Sequence, residues 1–297
     1  MAGKLSITFD DALASVYSLA LPELERLGLT ATVFVITDLI GKDYMGSPVM
    51  NEGMLRSLAA KKWEIGSHTQ THPNLPELSE SQADVELRDS KRRLEKVIDD
   101  KVVSLAYPYG VFNISIKTLA ARYYTFARTT STYPPLRVNS LFPGDRMEIK
   151  SVSGCEHPLY LPFHLIENHL GKHNVPSRFR TTYNILRKGT WKGDRINPIH
   201  KPPSLGQEAV PQFPRLVKKW LRRLREDQWL ILTFHNISPN RPTDYPTTLR
   251  DFRDIVEACA ESVDVLNFGE VARSSNMTGT DEYGGQNKHS DRVEQAG

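Results

Sequence analysis

The chain has 297 residues, of which 39% are hydrophobic and 25% are charged, and this composition is typical of a soluble globular protein. Its net charge of +3 is too small to indicate a nucleic-acid-binding protein, which needs a concentrated basic face. Cys155 and Cys259 match neither a cysteine zinc site nor a disulfide framework, and we expect both to be reduced, buried thiols.

The N-terminal residues lead directly into a strand-like segment, with no room for a signal peptide. No apolar run in the chain has the roughly 20 residues that a membrane-spanning helix needs. The sequence as given therefore predicts a cytoplasmic protein without a transmembrane segment, and it leaves the oligomeric state open.

Strand-like and helix-like segments alternate through the first 127 residues. The predicted strands are residues 4–9, 32–36, 63–66, 102–106 and 124–127, and the predicted helices are residues 13–27, 50–60, 79–98 and 114–122. Strands that alternate with helices form parallel sheets. We therefore predict an α/β fold, a distorted (β/α) barrel with about seven parallel strands.

The alternation stops between residues 131 and 212, where Pro, Gly, Asn and basic residues dominate. We interpret this segment as long loops and short helices over the C-terminal mouth of the barrel, since long loops are often functional. The elements predicted after it are a helix at 213–225, a strand at 229–234, a helix at 247–259 and a strand at 263–266 that closes the barrel.

The helix at residues 213–225 has one apolar face and one basic face. A partner- or membrane-binding helix is one interpretation, and a core-packing helix with a solvated basic face is the one we favour. Residues 274–297 have almost no apolar side chains, so they are expected to be disordered. These boundaries predict a catalytic domain at residues 1–273 and a disordered tail at residues 274–297.

Four strand-like segments deliver polar groups at their C-terminal ends. In chain order, these groups are Asp10 and Asp11, His68 and His72, the Tyr107-Pro108-Tyr109-Gly110 turn, and His235. In a β/α barrel these ends meet at one face, where active sites lie. Taken singly, the aspartates also fit a helix N-cap and a first-turn acid, and the histidines fit packing or loop residues.

These four segments, in this order, resemble the polysaccharide deacetylase family, the metal-dependent carbohydrate esterases that include chitin, chitooligosaccharide and peptidoglycan deacetylases. The resemblance covers roughly residues 3–273. It implies a hydrolase that removes an N-acetyl group from an amino sugar and releases acetate. The implied partner is an N-acetylated sugar or glycan, and no nucleic acid is implied.

The resemblance assigns metal binding to Asp11, His68 and His72. Two imidazoles and a carboxylate suit Zn2+, and Co2+, Ni2+ and Fe2+ are also chemically admissible. The resemblance assigns the general-base role to Asp10, because a carboxylate outside the metal site can accept a proton from the attacking water.

The remaining roles also come from the resemblance. The backbone amide of Tyr109 would bind the developing oxyanion, in a turn whose backbone Pro108 fixes. His235 would be the general acid that protonates the leaving nitrogen. Leu232 would line the pocket for the acetyl methyl group.

The chain departs from the family pattern at two positions. Ala106 stands where the family often has an arginine, so the arginine that orients the base must come from elsewhere, and we name Arg146 first and Arg128 second. Ala12 stands where a glycine usually follows the two aspartates.

Two other functions fit the same residues. One is hydrolysis of a different C–N bond, in a formamide, a cyclic imide or a ureide. The other is a catalytically inactive, metal-bound module that binds sugars. Asp10 and His235 argue against the inactive module, because binding alone requires neither a base nor an acid.

Overall fold

The computed structural model describes residues 3–131, 138–141, 145–153, 213–239 and 247–274. Seven parallel strands form a closed ring in the order β1-β2-β5-β6-β7-β9-β10, and β10 pairs with β1. These strands are β1 (Lys4–Phe9), β2 (Thr32–Val35), β5 (Glu64–Ser67), β6 (Ser104–Ala106), β7 (Phe126–Ser131), β9 (Ile149–Ser153) and β10 (Gln228–Phe234). The predicted barrel of about seven parallel strands is confirmed.

The prediction of which strand completes the ring was wrong. The segment expected to close the barrel is β13 (Asp264–Val265), which pairs with Lys4 and Leu5 at the start of β1 and does not pair with β10. The ring is completed instead by β9, which lies in the segment we predicted to be loops and pairs with β7 and β10. Since β9 contains only two apolar residues, Ile149 and Val152, it lacked the apolar run that marked the other strands.

Short strands extend or accompany the barrel. β8 (Asn139–Ser140) runs antiparallel to β10, β3 (Asp43–Tyr44) and β4 (Ser47–Pro48) form a hairpin, and β11 (Ile237–Ser238) pairs with β12 (Thr247–Thr248). The hairpin and the β11–β12 pair both follow strands that end at the C-terminal mouth.

Helices surround the ring. They are α1 (Leu21–Arg26), which follows a π-helical turn at Val16–Ala20, α2 (Glu52–Ala60), α3 (Glu80–Ile98), α4 (Ile114–Ala120), α5 (Phe213–Leu221), α6 (Leu249–Ser262) and α7 (Phe268–Ser274). Ser79 caps the start of α3 and forms a capping box with Gln82. Among the described helices, none is long and apolar enough to cross a membrane.

The basic helix α5 packs as we favoured. Val217, Trp220 and Leu221 are buried, whereas Lys218 and Lys219 are exposed. The helix ends at Leu221, four residues before the predicted boundary. Cys259 is a buried free thiol, as predicted. Cys155, most of the 131–212 segment and all but the first residue of the predicted tail lie outside the described residues.

Alternate side chains of the barrel strands belong to two apolar layers. The inner layer joins residues of five strands with α7, namely Phe34, Ala106, Phe126, Ile149, Trp229, Ile231, Phe268, Val271 and Ala272. The outer layer packs the opposite faces of the strands, such as Leu5, Ile7 and Leu232, against the surrounding helices. A strand reverses its side-chain direction at each residue. The residues of β10 that face the barrel interior are therefore Trp229, Ile231 and Thr233.

The helix α7 closes the N-terminal end of the barrel, opposite the mouth. Glu64, at the start of β5, holds it there by accepting hydrogen bonds from the Gly269 amide at 2.6 Å and the Thr32 hydroxyl at 3.0 Å. The Ser104 hydroxyl contacts the other oxygen of Glu64 at 2.8 Å. Burial raises the pKa of the Glu64 carboxyl.

Candidate active site

Asp10 and Asp11 lie where β1 ends at the barrel mouth. The Asp10 amide donates to the Phe234 carbonyl at 2.9 Å, which fixes the end of β1 beside the end of β10. Asp11 and Ala12 then have φ values of 64° and 52°, in the left-handed region that favours glycine. This explains why a glycine commonly follows the aspartate pair.

His68 is held so that one ring nitrogen faces the two carboxylates. Its Nδ1 lies 2.8 Å from the Ala106 carbonyl oxygen, a contact that only an N–H can make. The other nitrogen, Nε2, lies 3.8 Å from Asp11 Oδ1 and 3.9 Å from Asp10 Oδ2. A histidine whose far nitrogen donates to a carbonyl presents a lone pair to the site, as metal-ligating histidines do.

The loop that carries His72 is fastened to α3. The Glu86 carboxylate accepts the Gln70 and Thr71 amides, each at 2.9 Å, and the Thr71 hydroxyl at 2.7 Å. Thr69 Oγ1 accepts the His72 amide at 3.1 Å. Because His72 itself has φ of 64°, the loop holds it in an unfavourable backbone conformation that these bonds stabilise.

Asp11, His68 and His72 form a group that fits a divalent metal ion. Each offers one ligand atom, and the three atoms lie within 4.8 Å of one another. Nδ1 of His72 is buried and has no hydrogen-bond partner among the described residues. Burial, aided by the neighbouring His68, lowers the pKa of His72 to about 3, so the imidazole is neutral at physiological pH. One carboxylate oxygen and two imidazoles are a donor set suited to Zn2+.

Arg128 on β7 is the arginine that contacts Asp10. Its Nη2 lies 2.5 Å and 2.6 Å from the two carboxylate oxygens, and Nη1 donates to Ser151 Oγ at 2.8 Å. Both charged side chains are almost fully buried. The backbone carbonyl of Arg146, our first candidate, accepts a hydrogen bond from the Ala127 amide at the N-terminal end of β7. The structure thus favours the second candidate, Arg128, over Arg146 as the residue that orients Asp10.

The charges around Asp10 keep it ionised. Burial by itself raises the pKa of this carboxyl, but Arg128, His68 and His235 together hold the pKa below its usual value. Asp11 behaves differently, since burial raises its pKa and the nearby histidines only partly offset this. The two adjacent carboxylates therefore have unlike electrostatic environments, which suits unlike roles.

The Tyr107-Pro108-Tyr109-Gly110 turn brings a tyrosine against the metal-binding group. Tyr109 has φ of 58°, and its ring centroid lies 4.6 Å from that of His72. Gly110 is required here, because φ is 68° and a Cβ would come within 2.7 Å of the Thr130 backbone nitrogen. Pro108 is buried beneath the turn.

His235 reaches the mouth directly after β10. Its Nε2 lies 4.0 Å from Asp10 Oδ2, and its side chain is 35% exposed, so it faces both the base and solvent. Leu232 does not face the barrel mouth as His235 does. It belongs to the outer layer, whereas Thr233, which hydrogen-bonds to Thr8 at 2.9 Å, faces inward. Leu232 is thus three residues before His235 and on the opposite face of the strand, and we withdraw it as a lining residue of the acetyl pocket.

The described geometry defines a β/α barrel with a candidate metal-binding group and an ionised carboxylate at its C-terminal mouth. Residues 2–125 match the model of the polysaccharide deacetylase family. The chain resembles this family over that segment, which contains the aspartate pair, both histidines of the loop and the tyrosine turn.

Individual relatives agree with the family match. The chain is 27% identical over 157 residues to YxkH of Bacillus subtilis, whose name places it among polysaccharide deacetylases, with 52% of this chain and 55% of that protein covered. It is 25% identical over 179 residues to the poly-beta-1,6-N-acetyl-D-glucosamine N-deacetylase of Staphylococcus aureus strain MRSA252, with 57% and 56% covered. The chain thus spans little more than half the length of these curated relatives.

A solved structure extends the likeness to the whole barrel. The structure of a T48 deacetylase with substrate superposes with a TM-score of 0.51 over 92% of each chain, at 14% identity. At this identity the superposition shows a shared fold.

Proposed function

We propose that this protein is a metal-dependent hydrolase that removes the N-acetyl group from an amino sugar and releases acetate. The observation that carries the proposal is the group of Asp11, His68 and His72 beside a separate, ionised Asp10. The relatives supply the substrate class, since they are deacetylases of carbohydrates by name.

Asp11, His68 and His72 would hold the metal, which when bound polarises the acetyl carbonyl and makes a water more acidic. Asp10 accepts the proton of the attacking water. Arg128 holds Asp10 in place through two contacts and keeps it ionised, so that the base is ready at neutral pH.

His235 and Tyr109 complete the proposed machinery. The backbone N–H of Tyr109 donates to the oxyanion that forms when water adds to the acetyl carbon. His235 gives a proton to the sugar nitrogen, the C–N bond breaks, and the amine leaves as acetate forms. His235 Nε2 lies 4.0 Å from Asp10 Oδ2, which is longer than a hydrogen bond, so Asp10 releases its proton to solvent and the part-exposed imidazole regains one from solvent before the next turnover.

The substrate proposed is an N-acetylated oligosaccharide or polymer. The named activity of the staphylococcal relative is removal of acetyl groups from poly-beta-1,6-N-acetyl-D-glucosamine. Zn2+ is the proposed metal because the site offers one carboxylate and two imidazoles as ligands. The cytoplasmic location expected from the sequence stays a prediction, which fractionation of cells that express the natural protein would test.

A panel assay for acetate release tests this function. Metal-loaded protein is incubated with N-acetylglucosamine, β-1,4-linked and β-1,6-linked N-acetylglucosamine oligomers, a formamide and a cyclic imide. We expect acetate from an N-acetylated sugar, loss of the activity with a chelator, and recovery when metal is added back. Turnover of only the formamide or the imide would replace the proposal with the other C–N hydrolase, and no turnover would contradict enzymatic function.

The ligand assignment has its own control. His68→Ala should lose bound metal and acetate release together. Asp84→Asn on α3, which changes a carboxylate outside the site, should lose neither. Unchanged metal content in His68→Ala, by elemental analysis, would show that the ligands are assigned wrongly.

A further inference from the structure

The hairpin of β3 and β4, residues 43–48, carries two side chains that the proposed chemistry does not use. Its two-residue turn consists of Met45 and Gly46, with φ values of 50° and 79°. Turns of this kind favour Asn or Gly at the first position, because both central residues are left-handed. A methionine here is strained, and its side chain is 82% exposed. Neither property helps folding, and such strain is typical of functional segments.

The hairpin is hydrogen-bonded to the segments that follow β1 and β10. The Met50 amide donates to the Ala12 carbonyl at 2.9 Å, and Val49 forms a bridge with Leu13, so its base is joined to the turn that follows Asp11. On the other side, the Asn236 amide group donates to Ser47 Oγ at 3.3 Å. The hairpin is therefore connected to the residues that adjoin both Asp11 and His235.

Tyr44 faces the metal-binding group from this hairpin. Its ring centroid lies 6.2 Å from that of His72, at an interplanar angle of 63°. The hydroxyl of Tyr44 can donate a hydrogen bond to a ligand that lies beside this group. Tyr109, which is 54% exposed, contacts the same imidazole. Two tyrosine rings thus border the group that would hold the metal.

A tyrosine has the chemistry that a sugar site needs. Its ring face packs on the C–H groups of a pyranose, and its hydroxyl bonds to a ring substituent. Met45, which follows Tyr44 in the chain, adds an adaptable apolar side chain that is 82% exposed. A second sugar joined to one that packs on Tyr44 would have this side chain as its neighbour on the hairpin.

We propose that the hairpin 43–48 is a glycan-binding element in which Tyr44 positions the sugar that carries the reacting acetyl group and Met45 contacts an adjoining sugar. This inference rests on the proposed function, and it adds that residues 43–48 give the preference for a chain of sugars over a single sugar. Tyr44 is accordingly a positioning residue, and Met45 sets the preference for chain length.

Three variants and one control separate this role from a general loss of folding. Tyr44→Ala removes the ring, and Tyr44→Phe removes only the hydroxyl. Met45→Asn removes the apolar side chain while placing a residue that tolerates φ of 50°, so its melting temperature should equal or exceed that of the parent. Tyr123→Phe is the matched control, because that hydroxyl contacts Asp84 outside the site.

Calorimetry of the Zn2+-loaded proteins with N-acetylglucosamine and with its β-1,4-linked and β-1,6-linked tetramers gives the binding result. We expect Tyr44→Ala to weaken tetramer binding by about 5- to 30-fold, the value of one aromatic contact with a hydrogen bond. Met45→Asn should weaken tetramer binding and leave monosaccharide binding unchanged. In acetate release, the loss in Tyr44→Phe should fall mainly on KM, and Tyr123→Phe should match the parent.

The outcomes distinguish the two claims. If the parent binds a tetramer and the hairpin variants weaken that binding, the glycan-binding element is supported even where acetate release fails and the proposed function with it. If the parent binds neither tetramer, or if Tyr44→Ala and Met45→Asn bind as the parent does, the inference is overturned, whatever the acetate assay shows.

Discussion

Asp10 and Arg128 bring opposite charges together inside the barrel mouth, and the pair decides how the proposed base behaves. Burial of a carboxylate without a partner favours its protonated form, which cannot act as a base. Arg128 reverses this by holding both oxygens of Asp10, and Ser151 holds Arg128 in turn. The arginine that keeps the base ionised therefore comes from β7, a strand that does not adjoin β1 in the ring.

The first prediction concerns this pair. Arg128→Lys keeps a positive charge but loses the two-point contact, so the pKa of Asp10 should rise and the acidic limb of the kcat/KM profile should move to higher pH. Arg146→Lys should leave that limb in place. The pH profile of acetate release measures both, and an unmoved limb in Arg128→Lys would contradict the orienting role. Metal content and melting temperature verify that the variant is folded.

A second prediction concerns His235. An amine leaves poorly unless it is protonated, whereas nitrophenolate leaves unaided. His235→Ala should therefore lose activity on an N-acetylated sugar by a far larger factor than on nitrophenyl acetate, within the range of about 10²- to 10⁴-fold for a general acid. Equal losses on the two substrates, with metal retained, would indicate that His235 positions the substrate instead.

Sequence reasoning found most of the site because its residues follow strands. Asp10, Asp11, His68, His72 and His235 were all identifiable as polar groups at the ends of apolar runs, and the structure brings them together. The arginine was ranked wrongly, since Arg128 lies within a strand and only the closure of the ring shows that it points at Asp10. Leu232 was misassigned for a related reason: alternation along β10 puts Thr233, and not Leu232, on the inner face.

At the scale of elements, the loop between β5 and α3 determines the metal-binding group. It holds two histidines of which one has a left-handed backbone, and it is tied down by a side chain from the following helix. Glu86 was not identified from the sequence, because a glutamate in a charged helix looks like any solvated residue. The signal was structural: three hydrogen bonds converge on one carboxylate.

The third prediction follows from that loop. Glu86→Ala should weaken metal binding by about 10- to 100-fold, the usual effect of removing a group that supports metal ligands. Asp84→Asn, two residues earlier on α3, should bind metal as the parent does. Competition with a chelator measures both affinities. Identical affinities in parent and Glu86→Ala would show that the loop keeps its shape without this contact.

The elements themselves were predictable where hydrophobic periodicity was strong. Six of the predicted strands lie in the barrel near their expected positions, as do the surrounding helices, and the count of seven was right. The exchange of β13 for β9 shows the limit of the method. A five-residue strand with a lysine and two serines becomes a barrel strand because β7 and β10 supply its hydrogen bonds, which no local pattern reveals.

At the scale of the whole molecule, the hydrogen-bond network of Glu64 and the candidate active site lie at opposite ends of the barrel. The mouth carries strained backbone and buried charge, whereas the N-terminal end is closed by α7 and the hydrogen bonds of Glu64. Changes at that end should therefore affect stability and leave the site intact.

The fourth prediction uses the pKa of Glu64. A carboxyl whose folded pKa is raised contributes stability that is fully present below its unfolded pKa of about 4.5 and is lost as pH rises through the folded value. Glu64→Gln can donate to Ser104 and accept from Gly269, so it keeps the network without titrating. The parent should therefore lose stability relative to Glu64→Gln as pH rises above 4.5. Chemical denaturation at several pH values measures this, and a constant difference would contradict the account.

The central claim is that Asp10 acts as a base while its neighbour Asp11 binds the metal, and one measurement on Asp10→Asn tests it. Metal content and acetate release are determined on the same sample, with Asp11→Asn as the comparison. The account predicts that Asp10→Asn keeps its metal and loses turnover by about 10²- to 10⁴-fold, whereas Asp11→Asn loses metal. Near-parental turnover by Asp10→Asn at full metal content would contradict the account.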